Sequence, residues 1–405
     1  MTDRPTHDAW LDQHLRSLLD FGMRVPAPEG GAGYLDTQGR PVPSLGVQTY
    51  VTARMVHVYS LGAMLGIPGC RALATELVTG LNGQLHDDET GGWWHQVSED
   101  GTPDVAAGKQ CYDHAFVLLA GSSATLAGIA TANVLLDDAC TVYERFFWDE
   151  GTGRPRDLWD AGFTNADPYR GLNSSMHSVE AMMATAEATG DAVWLDRAGR
   201  VASFVVDLAS THQARLPEHF DEQWTPLLDF NSDRPDDQFK PFGATVGHGF
   251  EWSRLLLQVE VAMGDRAPTG LSSAAVSLFE RAVSDGWTSG THPGFVYTTD
   301  FNGRPVVQDR MHWVVTEAIA AAHALFQRTG NHRYAHLYDD WWDIARLHFI
   351  DDTHGSWFHQ LDQTNQIADG VWPGKPDLYH AVQATLLPRL PLAGSIAAGV
   401  KAGLV

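Results

Sequence analysis

Apolar residues recur along this chain at helical spacing, in stretches rich in alanine and leucine. Clear examples lie at residues 178–190, 249–263, 314–329 and 334–349. Their apolar positions repeat every three to four residues, which predicts amphipathic helices. Three of them end at Gly190, Gly264 and Gly330, and glycine suits a left-handed C-cap. Alternating β-branched runs are nearly absent, and residues 296–307 predict one β-hairpin. The pattern therefore predicts an all-α protein with one small hairpin.

The order of residues in one long loop is repeated in another. Residues 85–120 and 349–387 both run from Asp-Asp through a glycine turn, Trp-x-His-Gln and Gly-Lys to a histidine that opens a helix. A weaker copy covers residues 146–181. Histidines at such helix openings follow one another at intervals of 63 to 71 residues: His114, His177, His248, His312 and His380.

Six units of this length fit the chain, each with two helices and one long loop. In repeats of this kind no unit buries its apolar face alone, so neighbouring units stack. We therefore expect residues 1–405 to form a single (α/α)6 barrel domain, with the histidines and the hairpin at one end. An open solenoid of helical hairpins is the alternative. It explains the period but not the concentration of His, Trp, Glu and Arg at one edge of each unit.

The charge of the chain narrows the range of partners. The chain has 27 Lys and Arg against 50 Asp and Glu, which gives a net charge of −23. Binding to nucleic acids or anionic membranes requires clustered cations, so both are unfavourable partners. No uncharged apolar run of 18 residues is present, and the polar first residues predict no secretory signal. Cys70, Cys111 and Cys140 lie far apart, as is typical of a reducing compartment. We expect a cytoplasmic monomer or homodimer that binds a small molecule.

Several histidines and carboxylates are spaced for joint chemistry. The partial positive charge at a helix N-terminus disfavours imidazolium, so a histidine there is held neutral and can accept a proton. His248 and Glu251 are three residues apart, as are His177 and Glu180, and each pair shares a helix face. The alternative interpretation is that each histidine only caps its helix or packs against a neighbour, and that each glutamate is an ordinary charge on the helix surface.

Two further groups complete the pattern. Glu317 follows Trp313 by four residues among Ala, Val and Ile, which makes a surface position for this carboxylate unfavourable. His380 follows Lys375 and Asp377 in a loop that contains a proline.

Tryptophans concentrate in loops and at helix starts, where indole faces beside polar groups suit a sugar. They are Trp93, Trp94, Trp159, Trp252, Trp313, Trp357 and Trp372. Trp341 and Trp342 fall within a predicted helix and are assigned to the core. Metal and nucleotide motifs are absent, so we expect no cofactor and no metal, although a His/Glu site assembled from several repeats stays an alternative.

Four motifs together resemble the N-acylglucosamine 2-epimerase superfamily. They lie at residues 247–257, 311–318, 351–362 and 374–384, and the resemblance extends from about Arg54 to Pro388. It implies an (α/α)6 barrel that interconverts sugars at C1 and C2. Glu-Trp-Ser-Arg after Gly-His is similar to the aldose–ketose isomerase branch, which includes isomerases of mannose and of sulfoquinovose.

The resemblance also implies residue roles, with His248 and His380 as the catalytic acid–base pair. Where the family often carries an arginine upstream of Gly-His, this chain has Lys240, and an ammonium does not replace a planar guanidinium. The substrate-binding residues implied by the resemblance are Arg54, Asn173, His177 and Glu251. The patterns above add His114, Glu180, Trp313, Glu317, Trp357 and Asp377 as further candidates, together with Lys240.

The resemblance implies that the chain interconverts D-mannose and D-fructose through a cis-enediolate, by metal-free acid–base proton transfer. His380 would move the C1/C2 proton and His248 would assist ring opening, and the reverse assignment stays open. A mannose/glucose 2-epimerase and a sulfoquinovose isomerase are alternatives on the same fold. Alternatives of other classes are a glycoside hydrolase or lyase, where hydrolysis would need paired carboxylates, and a sugar- or protein-binding module.

Overall fold

The computed structural model describes residues 4–405 and is mostly helical, which confirms the all-α prediction. The helices are α1 (Arg4–Gly22), α2 (Thr49–Met64), α3 (Cys70–Leu81), α4 (Cys111–Leu126), α5 (Ala132–Val142), α6 (Leu172–Thr189), α7 (Ala192–Thr211), α8 (Val246–Met263), α9 (Leu271–Gly286), α10 (His312–Thr329), α11 (His332–Ile344), α12 (Tyr379–Leu386) and α13 (Ile396–Lys401). The strands have two residues each and are β1 (Val47–Gln48), β2 (Gln96–Val97), β3 (Lys109–Gln110), β4 (Trp148–Asp149), β5 (Arg154–Pro155), β6 (Leu158–Trp159), β7 (Arg170–Gly171), β8 (His219–Phe220), β9 (Ala244–Thr245), β10 (Trp287–Thr288), β11 (Gly294–Phe295), β12 (Thr298–Thr299), β13 (Arg310–Met311) and β14 (Gln360–Leu361).

These elements form two compact units. The first unit comprises residues 18–201, 376–379 and 394–405, and the second comprises residues 4–17, 202–375 and 380–393. In the first unit α2 packs against α3 and α4, and α4 packs against α5 and α6. In the second unit α8 packs against α9 and α10, and α10 packs against α11. Both units therefore repeat helix pairs, whereas the single-domain organisation over residues 1–405 stays a prediction.

Two kinds of helix alternate within each unit. Every residue of α2 from Thr49 to Gly62 is buried, and so is every residue of α4 from Cys111 to Ala124. In contrast, α9 buries one stripe: Leu271, Ala274, Ala275, Leu278, Phe279, Ala282 and Gly286. A polar side chain on a fully buried helix loses water on every side, so it needs a hydrogen-bond partner inside the protein.

The predicted helix ends are confirmed at all three glycines, each of which is the C-cap of its helix. Gly190 and Gly330 adopt the predicted left-handed conformation, with φ of 76° and 70°. The predicted left-handed conformation was wrong at Gly264, where ψ of −127° lies outside the left-handed helical region and the chain continues into a short 3-10 turn. Trp341 and Trp342 lie in the core, as predicted, each 1% exposed.

The turn predicted within residues 296–307 forms, and five similar turns occur elsewhere in the described chain. Four of these close with the same hydrogen bond between residues four apart, and the turn at Asp160 closes on Asn165, five residues on. The Asp300 amide donates to the Arg304 carbonyl at 2.8 Å, while β12 itself pairs with β9. The other turns begin at Asp36, Ser98, Asp160, Asp221 and Asp362. Each turn contains one residue with positive φ: Gly39, Gly101, Phe163, Trp224, Gly303 and Asn365. Aromatic residues replace glycine in two of these turns, so no glycine marks either of the two in the sequence.

Short strands fix where the buried helices begin. The first amide of α8 donates to the Tyr297 carbonyl at 3.1 Å, just before β12, and that of α10 donates to the His359 carbonyl at 3.0 Å, just before β14. In the first unit, the first amide of α2 donates to the His95 carbonyl at 3.0 Å, just before β2. The residue that precedes each of these strands is therefore held beside a helix start.

The repeated Asp-Asp and Gly-Lys motifs form buried ion pairs. In the first unit the Lys109 ammonium donates to Asp87 at 3.0 Å, and in the second the Lys375 ammonium donates to Asp351 at 2.7 Å. Both lysine side chains are completely buried. The motif that revealed the repeat thus holds the long loops in place.

No helix in residues 4–405 combines the length and the apolar character needed to cross a bilayer.

Candidate active site

His248 is the third residue of α8, and its ring pairs with a carboxylate from a loop. Its Nδ1 lies 2.9 Å from Oε1 of Glu218, and both side chains are buried. Because a carboxylate accepts, this contact favours the tautomer that carries its proton on Nδ1 and a lone pair on Nε2. That Nε2 bonds to no described residue, so it is available to a ligand.

His380, at the start of α12, has a similar partner. Its Nδ1 lies 3.0 Å from Oε1 of Glu317, and Oε2 of the same carboxylate accepts from Nε and Nη2 of Arg254 at 3.1 and 2.9 Å. Arg254 Nη2 also lies 3.6 Å from Glu251. Each of these charged side chains is at most 2% exposed, apart from His380 at 5%. The guanidinium therefore offsets the charge of two buried glutamates beside the second histidine.

Trp313 lies against both histidines. Its ring centre is 5.3 Å from that of His248 and 5.8 Å from that of His380. A Cβ atom on Gly247 would lie 2.1 Å from this indole, so the glycine before His248 is what lets the ring approach. The predicted residues His248, Glu251, Trp313, Glu317 and His380 are thus brought together in the second unit.

A stacked histidine pair borders this group. The rings of His312 and His359 lie 3.9 Å apart, nearly parallel, and His312 meets His380 edge-on at 6.1 Å. His312 opens α10 as predicted.

In the first unit, Arg54 lies at the centre of a second buried group. Its guanidinium donates to Asp377 at 3.1 Å and to the Tyr112 hydroxyl at 2.8 Å. It also lies 4.4 Å above the Phe116 ring and 5.0 Å from that of Tyr379. Two of the predicted binding residues, Arg54 and Asp377, are therefore in direct contact.

His177 and Glu180 lie beside the same group. Their nearest ring and carboxylate atoms are 3.8 Å apart, and the Tyr379 hydroxyl donates to Glu180. Oδ1 of Asn173, four residues before His177 on α6, is buried and accepts no hydrogen bond from the described residues. His177 and Glu180 could each offer one ligand atom to a metal ion.

His114 is bound within the fold. One ring nitrogen lies 2.7 Å from the Gln110 carbonyl, and the other accepts from the Trp93 amide at 3.1 Å. Burial is the largest cause that lowers the pKa of His114, to about 3. The ring is neutral, as predicted, but because of desolvation. Both its nitrogens are used, so we leave His114 out of the proposed substrate site.

We expect the free energy of unfolding to decrease as the pH falls from about 6.5 towards 4. Burial lowers the pKa of His114 to about 3, and the pKa values of His14 and His57 to about 4. The unfolded chain therefore binds more protons in this interval, and each ring removes on the order of 3 kcal/mol. Urea unfolding at pH 7, 5.5 and 4.5 measures this loss. Equal free energies at the three values would contradict neutral buried rings.

Two other candidates lie outside these groups. Trp357 is completely buried in the second unit, and its indole N–H donates to His14 at 2.8 Å, which makes it part of the core. Lys240 is half-buried in a loop where its amide donates to Asp237 and its carbonyl accepts from Asn231. A substrate-binding role for the Lys240 ammonium stays a prediction.

Sequence reasoning missed Glu218, Arg254 and Tyr112, and it assigned no role to Tyr379, which lies beside His380 in the sequence. Glu218 directly precedes β8, just as His359 directly precedes β14. Aligning the loops by their strands would have drawn attention to it. Arg254 follows Glu251 by three residues and directly precedes three leucines, which is the signal of a buried ion pair.

Comparison with known proteins identifies the family of this chain. The N-acylglucosamine 2-epimerase (GlcNAc 2-epimerase) family model matches residues 30–384. The chain belongs to this family. A family relative from Thermobifida fusca, named D-mannose isomerase, is 49% identical over 398 residues, which cover 98% of this chain and 97% of the relative.

Solved structures of related proteins share the fold. One, named D-mannose isomerase, has a TM-score of 0.87 and 26% identity, covering 94% of this chain and 97% of the other. A cellobiose 2-epimerase from Spirochaeta thermophila has a TM-score of 0.79 and 21% identity over the full length of both. The fold class is therefore the (α/α)6 barrel of the N-acylglucosamine 2-epimerase family, as predicted.

Proposed function

We propose that this protein is a D-mannose isomerase, which interconverts D-mannose and D-fructose. The observation that carries the proposal is the pair of histidines on one indole, each with Nδ1 held by a buried carboxylate. Two such rings can serve as base and acid on neighbouring atoms of a sugar, while the indole suits its C–H face. The 49% identical relative named D-mannose isomerase supports the choice of substrate.

The proposed reaction begins with ring opening, for which His248 exchanges a proton with the sugar oxygens. His380 Nε2 then takes the proton from C2. The electrons of that C–H bond form the C1=C2 bond while the π electrons of the C1 carbonyl move to O1, which gives a cis-enediolate. The same nitrogen returns the proton to C1, while a proton passes from O2 to O1, which gives the ketose. Donors in the site stabilise the enediolate oxygen. The alternative is that His248 moves the C2 proton and His380 assists ring opening.

We further propose that the reaction needs no metal and that the protein works in the cytoplasm as a monomer or homodimer. Cys70, Cys111 and Cys140 are all free thiols, which suits a reducing compartment. Roles for Arg54, Asn173, His177, Glu180 and Asp377 in binding the sugar stay predictions. Lys375, a candidate cation for a sulfonate, is already paired with Asp351, which disfavours sulfoquinovose.

The test is NMR of the products formed in D2O from mannose, lyxose, glucose, fructose and sulfoquinovose, with and without a chelator. We expect fructose as the first product from mannose, at an unchanged rate in the chelator. Glucose as the first product from mannose would instead assign a 2-epimerase. Loss of activity in the chelator would overturn the metal-free mechanism, and absence of turnover on any free sugar would overturn the isomerase.

A further inference from the structure

Glu218 and Glu317 hold the two histidines in the same way but have unequal surroundings. Oε2 of Glu317 accepts two hydrogen bonds from Arg254. Oε2 of Glu218 is buried and accepts none from the described residues, and its only ionisable partner there is His248. Glu218 is 4% exposed, so its carboxylate has little contact with bulk solvent.

Such an arrangement is unfavourable for folding. A buried carboxylate without a cation or a full set of donors keeps its desolvation cost, and native proteins rarely leave one. The neighbouring Glu317 shows that this unit can supply an arginine to a buried glutamate. A buried acceptor that the fold leaves without a donor points to a use outside stability.

The positions of Glu218 and His248 in the fold bring their side chains together. Glu218 is the residue directly before β8, and His248 is the third residue of α8. In the first unit, His95 directly precedes β2 and its Nδ1 lies 2.9 Å from Asp113, the third residue of α4. In both cases the residue directly before a strand contacts the third residue of a buried helix. The carboxylate comes from the loop in one case and from the helix in the other. The Glu218–His248 contact follows from the architecture and not from a chance rotamer.

We propose that Glu218 is a positioning residue for His248. It fixes the ring with its proton on Nδ1 and its Nε2 directed away from the carboxylate, towards the ligand. When Nε2 takes a proton from a sugar hydroxyl, the O–H bond breaks, an N–H bond forms and the ring becomes imidazolium. The uncompensated charge of Glu218 stabilises that cation, as a buried acid does for a histidine base. This role rests on the proposed isomerase function.

The substitution Glu218→Gln keeps the size of the side chain and removes its charge. We expect kcat on mannose to fall by about 10²-fold, with KM changed by less than about threefold, because the charge acts on the cation and not on the bound sugar. We also expect the Tm to stay equal or rise, since a buried charge is lost. A purely structural glutamate would instead lower the Tm on substitution.

Glu260→Gln is the matched control. This carboxylate lies on the same helix as His248 but bonds to Ser272 and Arg328, and its substitution should leave kcat unchanged. The proposal is overturned if Glu218→Gln retains kcat within about threefold of the unsubstituted protein. It is equally overturned if kcat falls only together with the Tm.

A measurement that needs no turnover separates this proposal from the proposed function. Nitrogen-15 NMR of labelled histidines shows which ring nitrogen carries the proton, with the His248 signal assigned by its loss in His248→Gln. We expect a proton on Nδ1 of His248 in the unsubstituted protein and an altered distribution in Glu218→Gln. A neutral ring protonated only on Nε2 would overturn the positioning role, whatever sugar the enzyme accepts.

Discussion

Replacing His380 with alanine lowers kcat for the interconversion of mannose and fructose by 10²- to 10⁴-fold, the range expected when a general acid or base is lost. The imidazole that we propose takes the C2 proton is gone, while its partner Glu317 keeps both hydrogen bonds from Arg254. The carboxylate is therefore not left without a counter-ion, and the fold should persist. Initial rates with mannose, and far-UV circular dichroism of the same sample, measure the two effects.

The control for this substitution is His336→Ala, because His336 is exposed on α11 and should be replaceable without loss of rate. His248→Ala should lower kcat by a similar factor if the two rings divide the proton transfers. A His380→Ala protein with nearly full turnover would remove this residue from the mechanism. Solvent deuterium incorporation at C2 that continues in His380→Ala but stops in His248→Ala would reverse the assignment of the two rings.

The helices could be predicted because burial imposes a period on the sequence. A helix such as α9 shows its single apolar stripe directly in the sequence. The repeat was visible because Lys109 and Lys375 each pair with a buried aspartate, 22 and 24 residues earlier in the chain. The turn at Gly303 was recognisable from its glycine, whereas those containing Phe163 and Trp224 carried no such signal. These aromatic residues accept positive φ because their rings pack, Phe163 on Phe146 at 3.9 Å and Trp224 near Phe204 at 5.3 Å.

The candidate site could be predicted only in part. His248 and His380 stood out because they fall at matching positions of the repeat, but His114 falls there too and is bound to the backbone through both nitrogens. Helix position alone does not say which neighbours a ring meets. Glu218 was invisible because its contact with His248 joins residues 30 positions apart, through a loop whose strand has only two residues.

Replacing Arg254 with methionine should lower the free energy of unfolding by about 3–5 kcal/mol, as expected when one partner of a buried ion pair is removed. The guanidinium is 2% exposed and lies between Glu317 and Glu251. Without it, two buried carboxylates face each other with no cation between them, and His380 loses the fixed position of its partner. Urea unfolding at pH 7 measures the loss, and initial rates measure the effect on His380.

Arg328→Met is the control for this prediction, since Arg328 pairs with Glu260 at 2.8 Å while nearly half exposed, and exposed pairs contribute at most about 1 kcal/mol. Adding Glu317→Gln to Arg254→Met should restore part of the lost stability, because it removes one of the two unpaired charges. If Arg254→Met unfolds at the same urea concentration as the unsubstituted protein, the guanidinium does not offset the two glutamates. That outcome would contradict a difference between the two glutamates in which Glu317 has a stabilising cation and Glu218 has none.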